Sequence, residues 1–141
     1  MSKNVRMQQP QFRHSNYYFI AAAIATAIAG IVHLYIPFGF PVIFGNLAIV
    51  IFFLGSGIAQ IFWILPMLKR WGKPWYYIGI GGNLGFIILY VITLLPGNPV
   101  TGRGGNVDIT AAICESAQVA YIAILVRERA TSDSVRMKQF S

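Results

Sequence analysis

With 56% hydrophobic and only 11% charged residues over 141 positions, the chain has too little charge to cover the surface of a soluble domain. The net charge of +7 would suit a nucleic-acid-binding surface, but the basic residues lie in short segments that flank apolar runs, so membrane topology explains them better and no nucleic acid is expected as a partner. The single cysteine, Cys114, excludes an internal disulfide and a multi-cysteine metal site.

Four apolar stretches are long enough to cross a bilayer as helices, which takes about 20 residues. They are 17–36, 42–66, 75–95 and 109–126, and the first three contain no Asp, Glu, Lys or Arg. The segments between them are short, so consecutive helices should run antiparallel. The sequence therefore predicts an all-α fold, an integral membrane four-helix bundle over 17–126, with an N-terminal tail at 1–16 and a C-terminal tail at 127–141.

Ten of the eleven basic residues fall on one side of this four-span arrangement. They are Lys3, Arg6 and Arg13 before span 1, Lys69, Arg70 and Lys73 between spans 2 and 3, and Arg127, Arg129, Arg136 and Lys138 after span 4. Only Arg103 lies on the other side. By the positive-inside rule, we expect a multi-pass protein of the cytoplasmic membrane with both termini in the cytoplasm.

Span 1 carries small residues and one histidine along a single helix face. Ala21, Ala25, Ala29 and His33 recur every four residues, which places them on the same side of a helix. Small residues at this spacing allow close helix approach, so His33 is expected to face protein in the outer half of the membrane. A hydrogen bond to a neighbouring helix is the leading interpretation of His33; a metal or cofactor ligand and a proton-handling group are the alternatives.

Spans 2 and 3 contain two amide side chains and a glycine pair. Gln60 in span 2 and Asn83 near the middle of span 3 are expected to hold helices together rather than to bind substrate. Gly81 and Gly85 form a GxxxG pattern, which is typical of a helix-contact face.

The connection at 95–108 is rich in glycine and proline and ends at Asp108, which suits the N-cap of span 4. Arg103 lies within it. This arginine either is solvated in a mobile turn or pairs with an acidic group of a partner, in which case the connection is a docking loop.

Span 4 contains an acidic residue at membrane depth. At 1.5 Å per residue from Ile109, Glu115 lies about 9 Å into the span, in the same half as His33, and Gln118 shares its helix face. A charged side chain at the helix centre costs about 2.5–3.5 kcal/mol on insertion scales. Glu115 is therefore expected to form a structural hydrogen bond, to His33, to Gln118 or to another subunit, or else to serve a function such as proton transfer.

The polar residues of the spans do not supply a familiar catalytic set. His33 is the one histidine in a span, since His14 lies in the N-terminal tail, so a bis-histidine haem and a three-ligand copper or zinc site lack ligands. Neither a nucleophile with its base nor a pair of acids is present in the spans. The sequence therefore predicts a protein that is not an enzyme by itself and has no metal or cofactor of its own; bound lipid is compatible with its surface.

Four stretches carry a more specific pattern: AGIVHL at 29–34, FFLGSGIAQIFWILPMLKRWGKPWYYIGIGGN at 52–83, NPVTGRGG at 98–105 and ICESAQVAYIAIL at 113–125. Together they resemble small four-span membrane proteins of ammonia-oxidising archaea, with FW-x-x-P-x-x-x-RWG and NP-x-TGRG as the most specific parts. The resemblance implies a non-catalytic accessory subunit of the archaeal ammonia monooxygenase. Its partners would be the other integral membrane subunits, which hold the copper, and lipids. The chain does not resemble the three core subunits of that enzyme.

Two other functions fit the same residues. A small dimeric proton-coupled transporter would use the membrane carboxylate Glu115, although the small multidrug exporters that it resembles hold their acid in the first helix and this chain has it in the fourth. A quinone-interacting accessory subunit of a respiratory complex would use His33 and Glu115.

Overall fold

The computed structural model describes residues 9–39, 46–102 and 104–139, and the regular secondary structure in these ranges is helical. The helices are α1 (Gln9–Gly39), α2 (Leu47–Phe62), α3 (Ile64–Lys69), α4 (Lys73–Leu94) and α5 (Ile109–Gln139). Within these ranges four helical segments are long and apolar enough to cross a membrane: Asn16–Gly39, Leu47–Lys69, Lys73–Leu94 and Ile109–Ser134. The predicted all-α architecture with four membrane-length helices is confirmed.

Helix α1 is the centre of the bundle. It packs against α5, α2 and α3, while α4 packs against α5. Small residues make this central position feasible: Ala25 and Ala29 are buried, and a Cβ added to Gly57 of α2 would lie 2.6 Å from Leu34 Cγ and 3.0 Å from the Gly30 carbonyl oxygen. Helices α2 and α4 therefore flank α1 and α5 without packing closely along each other, which leaves a gap between them.

The second span is interrupted at Trp63, where α2 ends and α3 begins. Pro66 explains the break, because it has no N–H to donate to the carbonyl of Phe62. The chain then reverses through Arg70, whose backbone is left-handed (φ 51°), and Gly72 (φ 106°). Helix α4 begins at Lys73, with Pro74 in its first turn, where proline is favoured.

Aromatic rings close the bundle at the α3–α4 turn. The ring centroids of Trp71 and Trp75 are 4.9 Å apart, and those of Trp63 and Trp75 are 5.4 Å apart. Beneath them Met67 and Tyr121 are fully buried. We call this part of the molecule the aromatic end, and the opposite part, which holds the 95–108 connection, the loop end.

Asn98 organises the connection between α4 and α5. Its Nδ2 donates to the carbonyl oxygens of Leu95 (3.0 Å) and Thr93 (3.1 Å), and its Oδ1 accepts from the Thr101 amide (2.8 Å). Asp108 caps α5 by accepting from the Ala111 amide at 2.8 Å, which confirms the predicted N-cap. The connection is thus folded against the end of α4.

The helix bounds differ from the predicted spans at several ends; α1, for example, begins at Gln9, within the predicted N-terminal tail. Helix α5 continues through 127–139, the predicted C-terminal tail, because no glycine or proline interrupts 109–139. At the aromatic end the Arg129 guanidinium lies 4.6 Å from the centroid of the Tyr77 ring on α4. Residues 42–45, predicted to begin span 2, lie outside the described residues, and α2 starts after Asn46, whose side chain accepts from the Ala48 amide (3.1 Å).

Candidate functional site

A cavity of about 610 Å³ lies in the loop half of the bundle, between α1, α2, α4 and α5. Its walls are largely apolar and aromatic, with Phe52 and Phe53 from α2 and Phe86 from α4. The centroids of Phe52 and Phe86 are 6.0 Å apart across the gap between α2 and α4. The 95–108 connection contributes Thr101 and Gly105 to the rim. The helix arrangement therefore produces an aromatic chamber, whose lining comes from residues far apart in the sequence.

His33 of α1 lines this cavity and is buried. Its Nδ1 lies 3.0 Å from the Ala29 carbonyl oxygen, which can only accept, so Nδ1 donates and Nε2 is the acceptor nitrogen of the neutral ring. The imidazole centroid is 5.7 Å from that of Phe53 and 5.3 Å from that of Phe86. Hydrogen bonding within α1 and two flanking rings thus fix the orientation of His33.

Cys114 lies on α5, which packs against α1, and its side chain contacts His33. Its Sγ lies 3.3 Å from His33 Nδ1 and accepts a hydrogen bond from Gln118 Nε2 at 3.6 Å. Gln118 is fully buried, and its Oε1 has no hydrogen-bond partner among the described residues. The sequence interpretation considered Cys114 only as a lone thiol and did not identify this contact.

Glu115 lines the same cavity, one residue farther along α5. Its Oε2 is buried and forms no hydrogen bond with any described residue. The expected bonds to His33 and Gln118 are absent from the described part of the chain, because Gln118 and His33 instead meet Cys114. Tyr90 of α4 also lines the cavity, and its hydroxyl is likewise buried without a partner in the described structure. Sequence reasoning missed Tyr90, since a tyrosine near a span end resembles an interface anchor.

The two amides predicted to hold helices together lie away from the cavity lining. Asn83 donates from Nδ2 to the Gly79 carbonyl oxygen (2.8 Å), a bond within α4. Gln60 contributes to helix packing through its backbone, because its carbonyl oxygen accepts from Thr26 Oγ1 of α1 at 3.1 Å. The Gln60 side-chain amide is buried and lies near the His33 ring, but it forms no hydrogen bond of ordinary length in the described ranges.

The predicted small-residue faces have different outcomes. Ala25 and Ala29 are buried and Ala21 is half-buried on α1, in line with close packing. Gly81 and Gly85 do not contact another described helix: both are exposed, and a Cβ on either would meet nothing within 4 Å. The GxxxG pair therefore makes no contact within the described bundle, and its role as a helix-contact face stays a prediction. The contact is made by Gly79, where a Cβ would overlap Tyr121 Oη and Trp63 Nε1.

Arg103, predicted to dock a partner, lies outside the described residues. Among the residues that the structure describes, no three His, Cys, Asp or Glu side chains come together as a metal site would require.

Comparison with protein-family models, with curated proteins and with solved structures gave no match. The chemistry of the cavity is therefore the structural basis for a functional proposal, together with the surface of the helices and the sequence resemblance described above.

Proposed function

We propose that this chain is a non-catalytic accessory subunit of a multi-subunit membrane copper oxygenase, the archaeal ammonia monooxygenase, and that its helices pack against the catalytic subunits. The motifs within 52–83 and 98–105, which resemble the small four-span proteins of ammonia-oxidising archaea, support the choice of complex. Under this proposal the copper and the catalytic residues belong to the partners, and this chain has no metal or cofactor of its own.

The observation that carries the proposal is the uncovered face of α4. Gly81 and Gly85 are exposed with open space around their α-carbons, and Leu84 and Ile88 beside them are exposed by 49% and 51%. Glycines spaced by four residues allow a second membrane helix to approach closely. Since no described helix of this chain uses that face, it is suited to a helix of another subunit.

The sharpest test of this face replaces Gly85 by leucine in cells that make the complex. The added side chain would keep a partner helix at a distance, so we expect the yield of intact complex on a mild-detergent native gel to fall about tenfold, equivalent to ~1.4 kcal/mol. Gly55→Leu is the matched control, because Gly55 is an exposed glycine on α2 with nothing within 4 Å of a Cβ.

Native-gel migration of the unaltered chain tests the choice of complex separately. Comigration with the subunits of the copper enzyme is the expected result. Migration alone, or with respiratory subunits, would contradict the assignment, and an unchanged yield for Gly85→Leu would contradict the use of this α4 face.

We also propose that the protein resides in the cytoplasmic membrane with both termini in the cytoplasm. The support is the distribution of charge: Lys69, Arg70 and Lys73 lie at the aromatic end, and Arg129 reaches Tyr77 there. Tryptophan and tyrosine rings at this end match the side chains that anchor helices at a membrane interface.

A proton-coupled transporter is the second candidate, favoured by the unpartnered Glu115 oxygen beside the cavity. A membrane acid in a chamber large enough for a small molecule is a common arrangement for substrate–proton exchange. Reconstitution of the purified chain in vesicles discriminates the two: a transporter would move protons against a substrate gradient and lose this activity in Glu115→Gln, whereas an accessory subunit would move none.

A further inference from the structure

The cavity presents unpaired polar groups beside its aromatic walls. In the described structure neither Glu115 Oε2 nor the Tyr90 hydroxyl has a hydrogen-bond partner, and the neutral His33 ring has Nε2 as its acceptor nitrogen. Buried polar groups are normally paired, by protein, water or ligand. Two such unpaired groups around one chamber, a hydroxyl that can donate and a carboxyl oxygen that can accept, indicate an occupant that offers both hydrogen-bond acceptors and donors.

The chemistry of these groups makes an ordinary lipid a poor fit. A phospholipid acyl chain against Glu115 and Tyr90 would leave those polar atoms unpaired. A compact polar head inside the cavity satisfies them. Phe52, Phe53 and Phe86 line the same cavity, and aromatic walls suit a flat ring.

The route into the chamber that fits best lies between α2 and α4, where side chains rather than closely packed backbones separate the chamber from the bilayer. These helices flank the chamber without packing along each other, and Ile51 of α2 and Ile88 of α4 are exposed apolar side chains, as expected where helices face lipid. The occupant is therefore a lipid-soluble molecule with an apolar chain. A chamber of about 610 Å³ lies within the range of small-molecule sites, about 300–1,000 Å³.

We propose that this cavity binds a quinone-class molecule: a planar ring with oxygen atoms on opposite sides and an apolar chain. In the reduced form, the Tyr90 hydroxyl donates to one ring oxygen, and the hydroxyl on the opposite side of the ring donates to Glu115 Oε2. The apolar chain leaves between α2 and α4. The proposal concerns binding alone and is independent of the complex to which the chain belongs.

Calorimetric titration of the full-length protein in detergent tests the site, with a benzoquinone that carries a decyl chain, kept in its reduced hydroquinone form, as probe. We expect saturable binding at one site, and weaker binding by about 2- to 10-fold in Tyr90→Phe, which removes one hydrogen-bond donor and keeps the ring. Tyr77→Phe is the matched control on α4, since Tyr77 is exposed outside the cavity, and its affinity should be unchanged. Ala111→Phe, which places a ring in the chamber, should abolish binding.

Decylbenzene, which has the ring and the chain without the oxygens, is the second probe. Weaker binding of decylbenzene than of the quinone is expected. Equal affinity of the two probes, or equal affinity of the quinone for Tyr90→Phe and Tyr77→Phe, would overturn the proposal, as would displacement of the quinone by phosphatidylglycerol at equal concentration. The two tyrosine variants decide the question even if Ala111→Phe fails to fold.

Discussion

Cys114 joins α1 to α5 through its sulfur, which lies near His33 Nδ1 and accepts from Gln118 Nε2. Cys114→Ala would remove this acceptor and leave the fully buried Gln118 amide without it. A buried donor without a partner costs about 1–3 kcal/mol, so we expect the variant to be destabilised by that amount. Thermal unfolding in detergent measures the loss.

Cys114→Ser separates the hydrogen bond from the packing. The hydroxyl remains an acceptor, so the serine variant should retain more stability than the alanine variant. Ser116→Ala is the control on the exposed side of α5 and should be close to neutral. Equal stability of Cys114→Ala and the unaltered chain would show that the sulfur has no structural role.

The same residues show what sequence patterns can and cannot predict at this scale. His33 and Glu115 are identifiable because ionisable groups are rare in apolar spans. Their contacts are not, because Cys114 and Glu115 differ by about 100° around α5. Which of them meets His33 depends on how α5 is rotated against α1, and packing of the whole bundle sets that rotation.

Helix α4 docks on α5 and Trp63 through Gly79. A Cβ there would overlap Tyr121 Oη and Trp63 Nε1, so Gly79→Ala should destabilise the protein by about 1–3 kcal/mol through overpacking. Gly82→Ala on the exposed face of the same helix should be neutral or stabilising by about 0.5–1 kcal/mol, because alanine favours helix more than glycine does. Chemical unfolding of both variants provides the comparison, and a reversed order would contradict this docking.

The run GIGGNLG at 79–85 offers several glycines that could pack inside the bundle. Gly79 and Gly81 lie about 200° apart around a helix, so the run offers nearly opposite faces with small residues. Spacing alone does not identify the face that packs inward. The break at Trp63 and the continuation of α5 depend on local chemistry instead: a proline at 66 and the lack of glycine or proline through 139.

At the scale of the molecule, the four spans were predictable because bilayer thickness requires a minimum apolar length, which hydropathy measures directly. The separation of α2 from α4 was not predictable from hydropathy. It arises because α1 lies at the centre and both α2 and α5 pack against its small residues. The cavity and its aromatic lining follow from that placement. Hydropathy reports how much of a helix is apolar and carries no information on which helices touch.

Orientation in the membrane is a property of the whole chain, and two introduced cysteines test it. Val107 is exposed at the loop end, and Ser132 is exposed on α5 beyond the aromatic rings. Native Cys114 is buried, so it should give little background. If the basic aromatic end faces the cytoplasm, an impermeant thiol reagent should label Val107→Cys in intact cells and Ser132→Cys only after lysis. The opposite labelling pattern would place both termini outside, and labelling of both cysteines in intact cells would contradict an arrangement with the two ends on different sides.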